Sequence, residues 1–333
     1  MTIHVAIVGT GKVADQNYLP YIVQNDDVVL SYYNRTRAKA DSVAAKFGGR
    51  VAGSVDELMA GAPDTVLVLT SETVRAEMIQ ALLAHRPARL FFEKPLVAAH
   101  GQANVTEADF YTGRDLMQRA YAMGTETAMV FNYRFFDQTR RAKAMVVDHE
   151  LGRPLHFTGF VHYACWSHCI DLVLDFMGPA ATITALTSER PAPCMGVDGV
   201  TAVTAAVRMQ NDATGTIIGN CDMDFKLPLY ELTFAFEHGR LSMRDLDGDL
   251  ELLDYRTGRH EVHALPRDVS RWDQYRSSFG KSINAYLASI RAGDPPPVPG
   301  LAGLQELQFE AGIKRSIAQG VPVVLDEAFP LNL

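Results

Sequence analysis

The chain reads as an α/β protein of two domains. Residues 1–125 form a parallel sheet covered on both faces, and residues 126–333 form an α+β domain on a mostly antiparallel sheet. Three observations lead there. Up to about residue 125, short apolar runs alternate with helix-length segments, as in a parallel sheet wrapped by helices. Beyond it, strands follow one another across short polar turns such as Asn211-Asp212 and Asp247-Gly248. The length of 333 residues, 47% of them hydrophobic, suffices for two sizeable cores.

The first strand, Ile-His-Val-Ala-Ile-Val, runs straight into Gly9-Thr-Gly11-Lys-Val-Ala14. Gly9 permits a tight turn, Gly11 lets a pyrophosphate approach the backbone, and Ala14 is small enough for close helix–strand packing. A helix expected from about Val13 to Val23 then offers free N–H groups and a positive dipole end to phosphates. Strand, glycines and helix in this order predict an N-terminal Rossmann dinucleotide-binding domain. Thr10, Lys12 and Val13 fall in the same turn.

The second strand, Val28–Tyr33, ends at Asn34-Arg35-Thr36-Arg37. A free ribose 2′-hydroxyl calls for Asp or Glu here, about 20 residues after the glycines. Asn34 stands there instead, beside Arg35 and Arg37, and a guanidinium can take a 2′-phosphate through paired charge-assisted bonds. NADP is therefore expected ahead of NAD. The competing reading of the two arginines is a solvated helix start.

A helix over Ala38–Phe47, a short one over Val55–Ala60 and an apolar strand over Thr65–Leu69 follow, the strand ending at Thr70-Ser71. Thr73–His85 is helical. Arg89–Phe92 is the next strand, closed by Glu93-Lys94-Pro95. A lysine there leaves the sheet at its carboxyl edge, where open α/β sheets bind ligands, and Pro95 turns the chain just after it. A surface lysine at a strand end is the plainer alternative. Residues 98–110 read as a polar loop and Tyr111–Met123 as a helix.

In the second part, Thr127–Phe131 reads as a strand leading to Asn132-Tyr133-Arg134, and Phe136–His149 as a helix. Strands are expected over Leu155–Tyr163, Thr182–Ser188, Thr201–Met209, Thr214–Asp222, Tyr230–Glu237, Arg240–Met243 and Leu250–Leu253. Helices over Arg271–Ala292 and Gly303–Gln319 close the chain. One cluster stands out, Tyr163-Ala-Cys165-Trp166-Ser167-His168-Cys169-Ile-Asp171. Ser167 is a candidate N-cap. His168 would then lie in the first helical turn, its ring kept neutral by the dipole, with Asp171 one turn on to orient it. From spacing alone, a purely structural His–Asp pair capping a helix is the favoured reading. His162, Cys165, His168 and Cys169 are too crowded for a zinc site, which draws ligand pairs from separated places, so no metal is expected.

Net charge is −8 with no basic run, which argues against nucleic acid and an anionic membrane as partners. No stretch is long and apolar enough to span a bilayer. The chain enters its first strand at once, leaving no room for a leader peptide, and a cytoplasmic location is expected. The four cysteines fit reduced thiols better than a disulfide framework.

These motifs together resemble the Gfo/Idh/MocA family of oxidoreductases, over nearly the whole length. The resemblance rests on Gly9-Thr-Gly11-Lys-Val-Ala14, Pro20, Thr70, Glu93-Lys94-Pro95, Asn132-Tyr133-Arg134, His168-x-x-Asp171 and the terminal Gly320-Val-Pro-Val. It implies NAD or NADP, a C-terminal domain with a large open sheet, sugars, polyols or related small molecules as substrates, and homodimers or homotetramers formed through that sheet. It implies Lys94 as the catalytic lysine and His168 as the proton donor or acceptor. Asp171, Tyr133, Arg134 and Trp166 would meet substrate. Gly9, Thr10, Gly11, Lys12, Val13, Asn34, Arg35, Arg37, Thr70, Ser71, Glu93 and Lys94 would surround the cofactor. Many relatives carry an aspartate four residues before the histidine, and here that position is Ala164, which cannot ionise. The stretch from Gly152 to His168 is also shorter than is usual in the family. Two alternatives to a carbonyl–alcohol oxidoreductase follow: a C=N reductase of the same family, and a dinucleotide sensor without turnover.

Overall fold

The computed structural model describes residues 2–194, 197–221, 228–246, 248–264 and 268–333. Asp222 and Asp247, at the end of one expected strand and in one expected turn, lie outside them.

The first layer is laid down in alternating order: β1 (Ile3–Val8), a π turn (Ala14–Tyr18) continuing into α1 (Leu19–Ile22), β2 (Val28–Tyr33), α2 (Arg37–Phe47), β3 (Arg50–Val51) and α3 (Val55–Ala60). Then come β4 (Thr65–Val68), α4 (Glu72–Leu83), β5 (Arg89–Phe92), α5 (Glu107–Ala122) and β6 (Glu126–Met129). The sheet order is β3-β2-β1-β4-β5-β6, with every described pairing parallel. The chain leaves β1 toward β2 on one side and later returns to β4 on the other. The crevice at the carboxyl ends of β1 and β4 is the switch point at which such sheets bind ligands.

The second part comprises α6 (Asp137–Asp148), β7 (Pro154–His162), α7 (Trp166–Met177), β8 (Ala180–Cys194), β9 (Val197–Met209) and β10 (Thr214–Asn220). It continues with β11 (Tyr230–Phe236), β12 (Gly239–Arg244), β13 (Leu250–Asp254), β14 (Arg259–His263), α8 (Arg271–Ala292), α9 (Leu301–Gln319), β15 (Val323–Val324) and α10 (Leu325–Ala328). Among the described residues the sheet runs β14-β13-β12-β11-β7-β10-β9-β8-β15, antiparallel except where β7 lies parallel to β10. The large, mostly antiparallel sheet is thus present.

Several boundaries differ from expectation for local reasons. Helix α5 starts at Glu107, inside the expected loop, because Thr106 and Asp109 form a capping box that satisfies its first N–H groups. Strand β6 pairs with β5 and carries the first sheet beyond residue 125. Strands β3, β14 and β15 have too little apolar periodicity to read from sequence. Helix α8 covers one face of the first sheet: Phe279, Ile283, Tyr286 and Leu287 pack with Ile3, Val5, Ile7, Leu67 and Phe91. The Tyr286 hydroxyl meets Thr65 Oγ1 at 2.7 Å in that layer.

The expectation of four reduced cysteines is corrected. Cys194 and Cys221 are joined in a disulfide with their Cα atoms 5.4 Å apart, while Cys165 and Cys169 are free and buried. Cys194 ends β8 and Cys221 follows β10, 27 positions apart in the chain, and β9 pairs with both strands. Thiol titration of the unfolded, unreduced protein should find the two thiols of Cys165 and Cys169, rising to four after reduction. Four thiols before reduction would show that the bond is absent.

Candidate active site

The carboxyl ends of β1, β2 and β4 surround a cavity of about 360 Å³ lined by Gly9, Gly11, Asn34, Arg35, Thr36, Lys39, Thr70 and Ser71. Gly9 has φ +93°, and a Cβ there would lie 2.7 Å from the Thr70 nitrogen, so only glycine fits. A Cβ on Gly11 would meet nothing within 4 Å. That open approach to the backbone is what a pyrophosphate needs. Thr10 Oγ1 and Thr70 Oγ1 are buried without a hydrogen-bond partner among the described residues, as donors awaiting a ligand would be. The site therefore fits a dinucleotide.

The expected cofactor residues divide. Asn34 holds the glycine turn: its Oδ1 accepts from Thr10 N at 3.1 Å and its Nδ2 donates to Thr36 O at 3.0 Å. Arg35 lines the cleft, and so does Lys39, one turn into α2, which the sequence reading passed over. Arg37 does not line it; its Nε lies 3.7 Å from Asp41 Oδ1 on the surface. Lys12 lines a depression beside Thr10, Gly11 and Lys39, and with Val13 a second one shared with Trp272 and Tyr275. Glu93 does not line the cleft. It is buried, its Oε1 accepts from Tyr18 OH at 2.7 Å, and its Oε2 accepts from Lys94 N at 3.0 Å.

Arg75 was invisible as a site residue, because an arginine on a helix reads as solvated. It is 2% exposed. Its guanidinium donates to Thr70 O at 2.7 Å, Glu93 O at 2.6 Å and Leu96 O at 3.5 Å, and also to Pro95 O. The loop after β4 and the turn carrying Lys94 are thereby tied to one side chain. Lys94 is half-buried, and its Nζ donates to Gln102 Oε1 at 2.8 Å, inside the stretch read as a featureless polar loop.

His168 reaches this region from α7. Its ring stacks on Tyr133 at 4.1 Å with a 5° tilt and meets Phe131 edge-on. Nδ1 has no partner among the described residues. Burial, and then the charge of Lys94, hold its pKa well below that of a free imidazole, so the ring is neutral at physiological pH. Neutrality was expected from a helix dipole, but the cause is desolvation. Ser167 does not cap the helix; it lies inside the first turn, and Cys165 occupies the N-cap.

Asp171 does not orient His168. Its carboxylate is taken by Arg134, Nη2 to Oδ1 at 2.6 Å and Nε to Oδ2 at 2.8 Å, while Arg134 Nη1 reaches Asp175 at 2.9 Å. Burial raises the Asp171 pKa to about 6, with Arg134 opposing the rise, so the pair is ionised at pH 7. The Tyr133 hydroxyl is occupied by Cys165 Sγ at 3.0 Å. Trp166 is buried, with its ring under Gly219. Asp171, Arg134 and Tyr133 thus bond one another or Cys165 in the wall beside His168, and Trp166 is buried. Among the described residues, no group of three or more His, Cys, Asp or Glu could hold a metal ion, and no helix is long and apolar enough to cross a membrane.

Residues 3–109 match the model of the Gfo/Idh/MocA family, described as an oxidoreductase family with an NAD-binding Rossmann fold. The matched residues run from β1 into α5. A 151-residue stretch is 22% identical to glucose-6-phosphate 3-dehydrogenase of Bacillus subtilis (strain 168), covering 45% of this chain and 40% of that relative. The fold is similar to an oxidoreductase from Agrobacterium radiobacter solved with NAD+, L-tartaric acid and magnesium, at TM-score 0.81 and 16% identity over 98% of this chain and 100% of that one. It is also similar to the WlbA dehydrogenase of Bordetella pertussis solved with NADH and UDP-GlcNAcA, at TM-score 0.75 and 19% identity over 97% of each chain.

Replacing Asp171 with alanine strands a largely buried guanidinium. Because Asp175 still pairs with Arg134, the expected loss is about 3 kcal/mol, the low end for breaking a buried pair, read from urea unfolding at pH 7. An unchanged midpoint would free Asp171 for a role in substrate binding.

Proposed function

We propose that the protein is an NADP-preferring oxidoreductase that moves a hydride between the nicotinamide and a carbonyl or secondary alcohol of a sugar, polyol or similar small molecule. The reading rests on one observation. Lys94, the cation at the carboxyl edge of the cofactor sheet, is presented from a clamped turn to a neutral, partly unpartnered histidine of the second domain. The cofactor, held by the Gly9–Gly11 turn, Thr70 and Ser71, supplies the hydride. In the reductive direction the Lys94 ammonium hydrogen-bonds the substrate oxygen, stabilises the growing negative charge and gives up the proton. His168, held flat by Tyr133, fixes the oxygen through a hydrogen bond as a neutral ring. The relatives named above act on or were solved with sugar derivatives and hydroxy acids, which is consistent with a polyhydroxylated substrate. Assembly through the open second sheet is part of the same proposal.

The NADP preference follows from Arg35 and Lys39 at the cleft and from the missing carboxylate at Asn34. Arg35→Ala should weaken NADPH by about 1.5–3 kcal/mol, the worth of a hydrogen bond to a charged group, and leave NADH nearly unchanged in fluorescence titrations. Equal affinities for the two cofactors in the unmutated protein would refute the preference.

Lys94→Ala should keep its circular dichroism and its NADPH affinity within a small factor. NADPH oxidation against a panel of keto-sugars and inosose-type ketones should fall about 10²–10³-fold, as on loss of an oxyanion donor. Full turnover in the variant would return Lys94 to the status of a surface residue.

A further inference from the structure

We propose that Gln102 is a positioning residue, which holds the Lys94 ammonium where the reaction needs it from the loop between β5 and α5. The proposal rests on the reading of Lys94 given above.

A lysine carries its charge at the end of a flexible stem, and ordering that stem costs side-chain entropy. Arg75 fixes the backbone on either side of Lys94, through the Glu93 and Pro95 carbonyls. The far end of the side chain is fixed by Gln102, whose Oε1 accepts from Lys94 Nζ at 2.8 Å, with both residues partly buried. The type of acceptor matters. An amide oxygen is uncharged, so it orients the ammonium without neutralising it and leaves two further N–H donors for a substrate oxygen. A carboxylate in its place would draw the charge to itself.

The segment that presents Gln102 is bonded along its length. Gly101 N donates to Ala98 O at 3.0 Å and Asn104 N to Gly101 O at 2.9 Å. Gly101 turns the chain at φ +83°, which glycine adopts without strain. Ala99 N donates to Asp109 Oδ1 at 2.8 Å, so the carboxylate that caps α5 also anchors this loop. On its other side the loop meets the start of α4, where Ala98 N donates to Glu72 O at 3.4 Å and Gln102 N to Glu72 Oε1 at 3.3 Å. The second oxygen of Glu72 accepts from Ser71 Oγ at 3.3 Å, and Ser71 lines the cofactor cleft. The hold on Lys94 is therefore built from the same edge of the sheet that meets the cofactor. Gln102 acts through Lys94 and moves no proton itself.

Proton–nitrogen NMR of the full-length protein, carrying isotope-labelled lysine and loaded with NADPH, reads the hold without any substrate. An ammonium resonance protected from solvent exchange should be present. It should vanish in Lys94→Met, which assigns it, and lose its protection in Gln102→Leu. Kinetics on the most active ketone of the panel give the second readout. Gln102→Leu should lose about tenfold in kcat, the scale of a displaced catalytic group, with KM within about twofold of the unmutated value. Gln102→Glu keeps an acceptor at the same reach, so it should restore the protected resonance and part of kcat. A merely structural role predicts a lowered thermal midpoint with unchanged kcat per folded molecule. Absence of a protected Lys94 resonance in the unmutated protein overturns the proposal even if Gln102→Leu fails to fold. An unmutated kcat in Gln102→Leu, or recovery of neither readout in Gln102→Glu, also overturns it while leaving Lys94 in its role. If the unmutated protein reduces no ketone of the panel, the reading of Lys94 has failed and the role of Gln102 falls with it.

Discussion

The buried guanidinium of Arg75 is the interaction on which the site depends. Loops at the carboxyl ends of parallel strands expose carbonyls that no neighbouring strand can satisfy. Arg75 supplies donors to four of them, on Thr70, Glu93, Pro95 and Leu96, in a place water does not reach. A guanidinium suits this task because its donors spread in a rigid plane and its charge survives burial. The Glu93 carboxylate offsets part of the cost of burying Arg75, and it also anchors Tyr18 and the Lys94 backbone. One side chain therefore ties the loop after β4 to the turn that carries Lys94.

The second domain answers with an aromatic wall. Tyr133 lies flat under His168, its hydroxyl tied to Cys165, and Arg134 of the same short helical turn grips Asp171 one turn beyond the histidine. The Asn132-Tyr133-Arg134 segment thus places the imidazole by packing and by charge without competing for its nitrogens. Desolvation keeps the ring neutral, so the positive charge acting on it belongs to Lys94.

The chain itself determined the layers. Apolar runs of strand length between helical segments specify a parallel sheet wherever they alternate, and Gly9, with its Cβ excluded by Thr70, could be read as a turn that only glycine makes. Local signals of this kind survive in sequence because they depend on neighbours within a few residues. Lys94 and His168 could be marked for the same reason, each standing at the end of a recognisable element.

Partners distant in sequence could not be read that way. Asp171 stands three residues from His168 and looks like its companion, yet Arg134, from another element, takes it, because a fork of donors outbids a ring that burial has left uncharged. Arg75, Gln102 and Lys39 look like surface residues until the sheet brings the carbonyls, Lys94 and the cleft to them. Cys194 and Cys221 meet only when their strands are in register. Glu306 has the sequence signature of an ordinary helical glutamate, and only the fold buries it. Periodicity and turn chemistry are properties of the chain, whereas burial and the choice of ion-pair partner are properties of the fold, and in this protein the second set decides what the site can do.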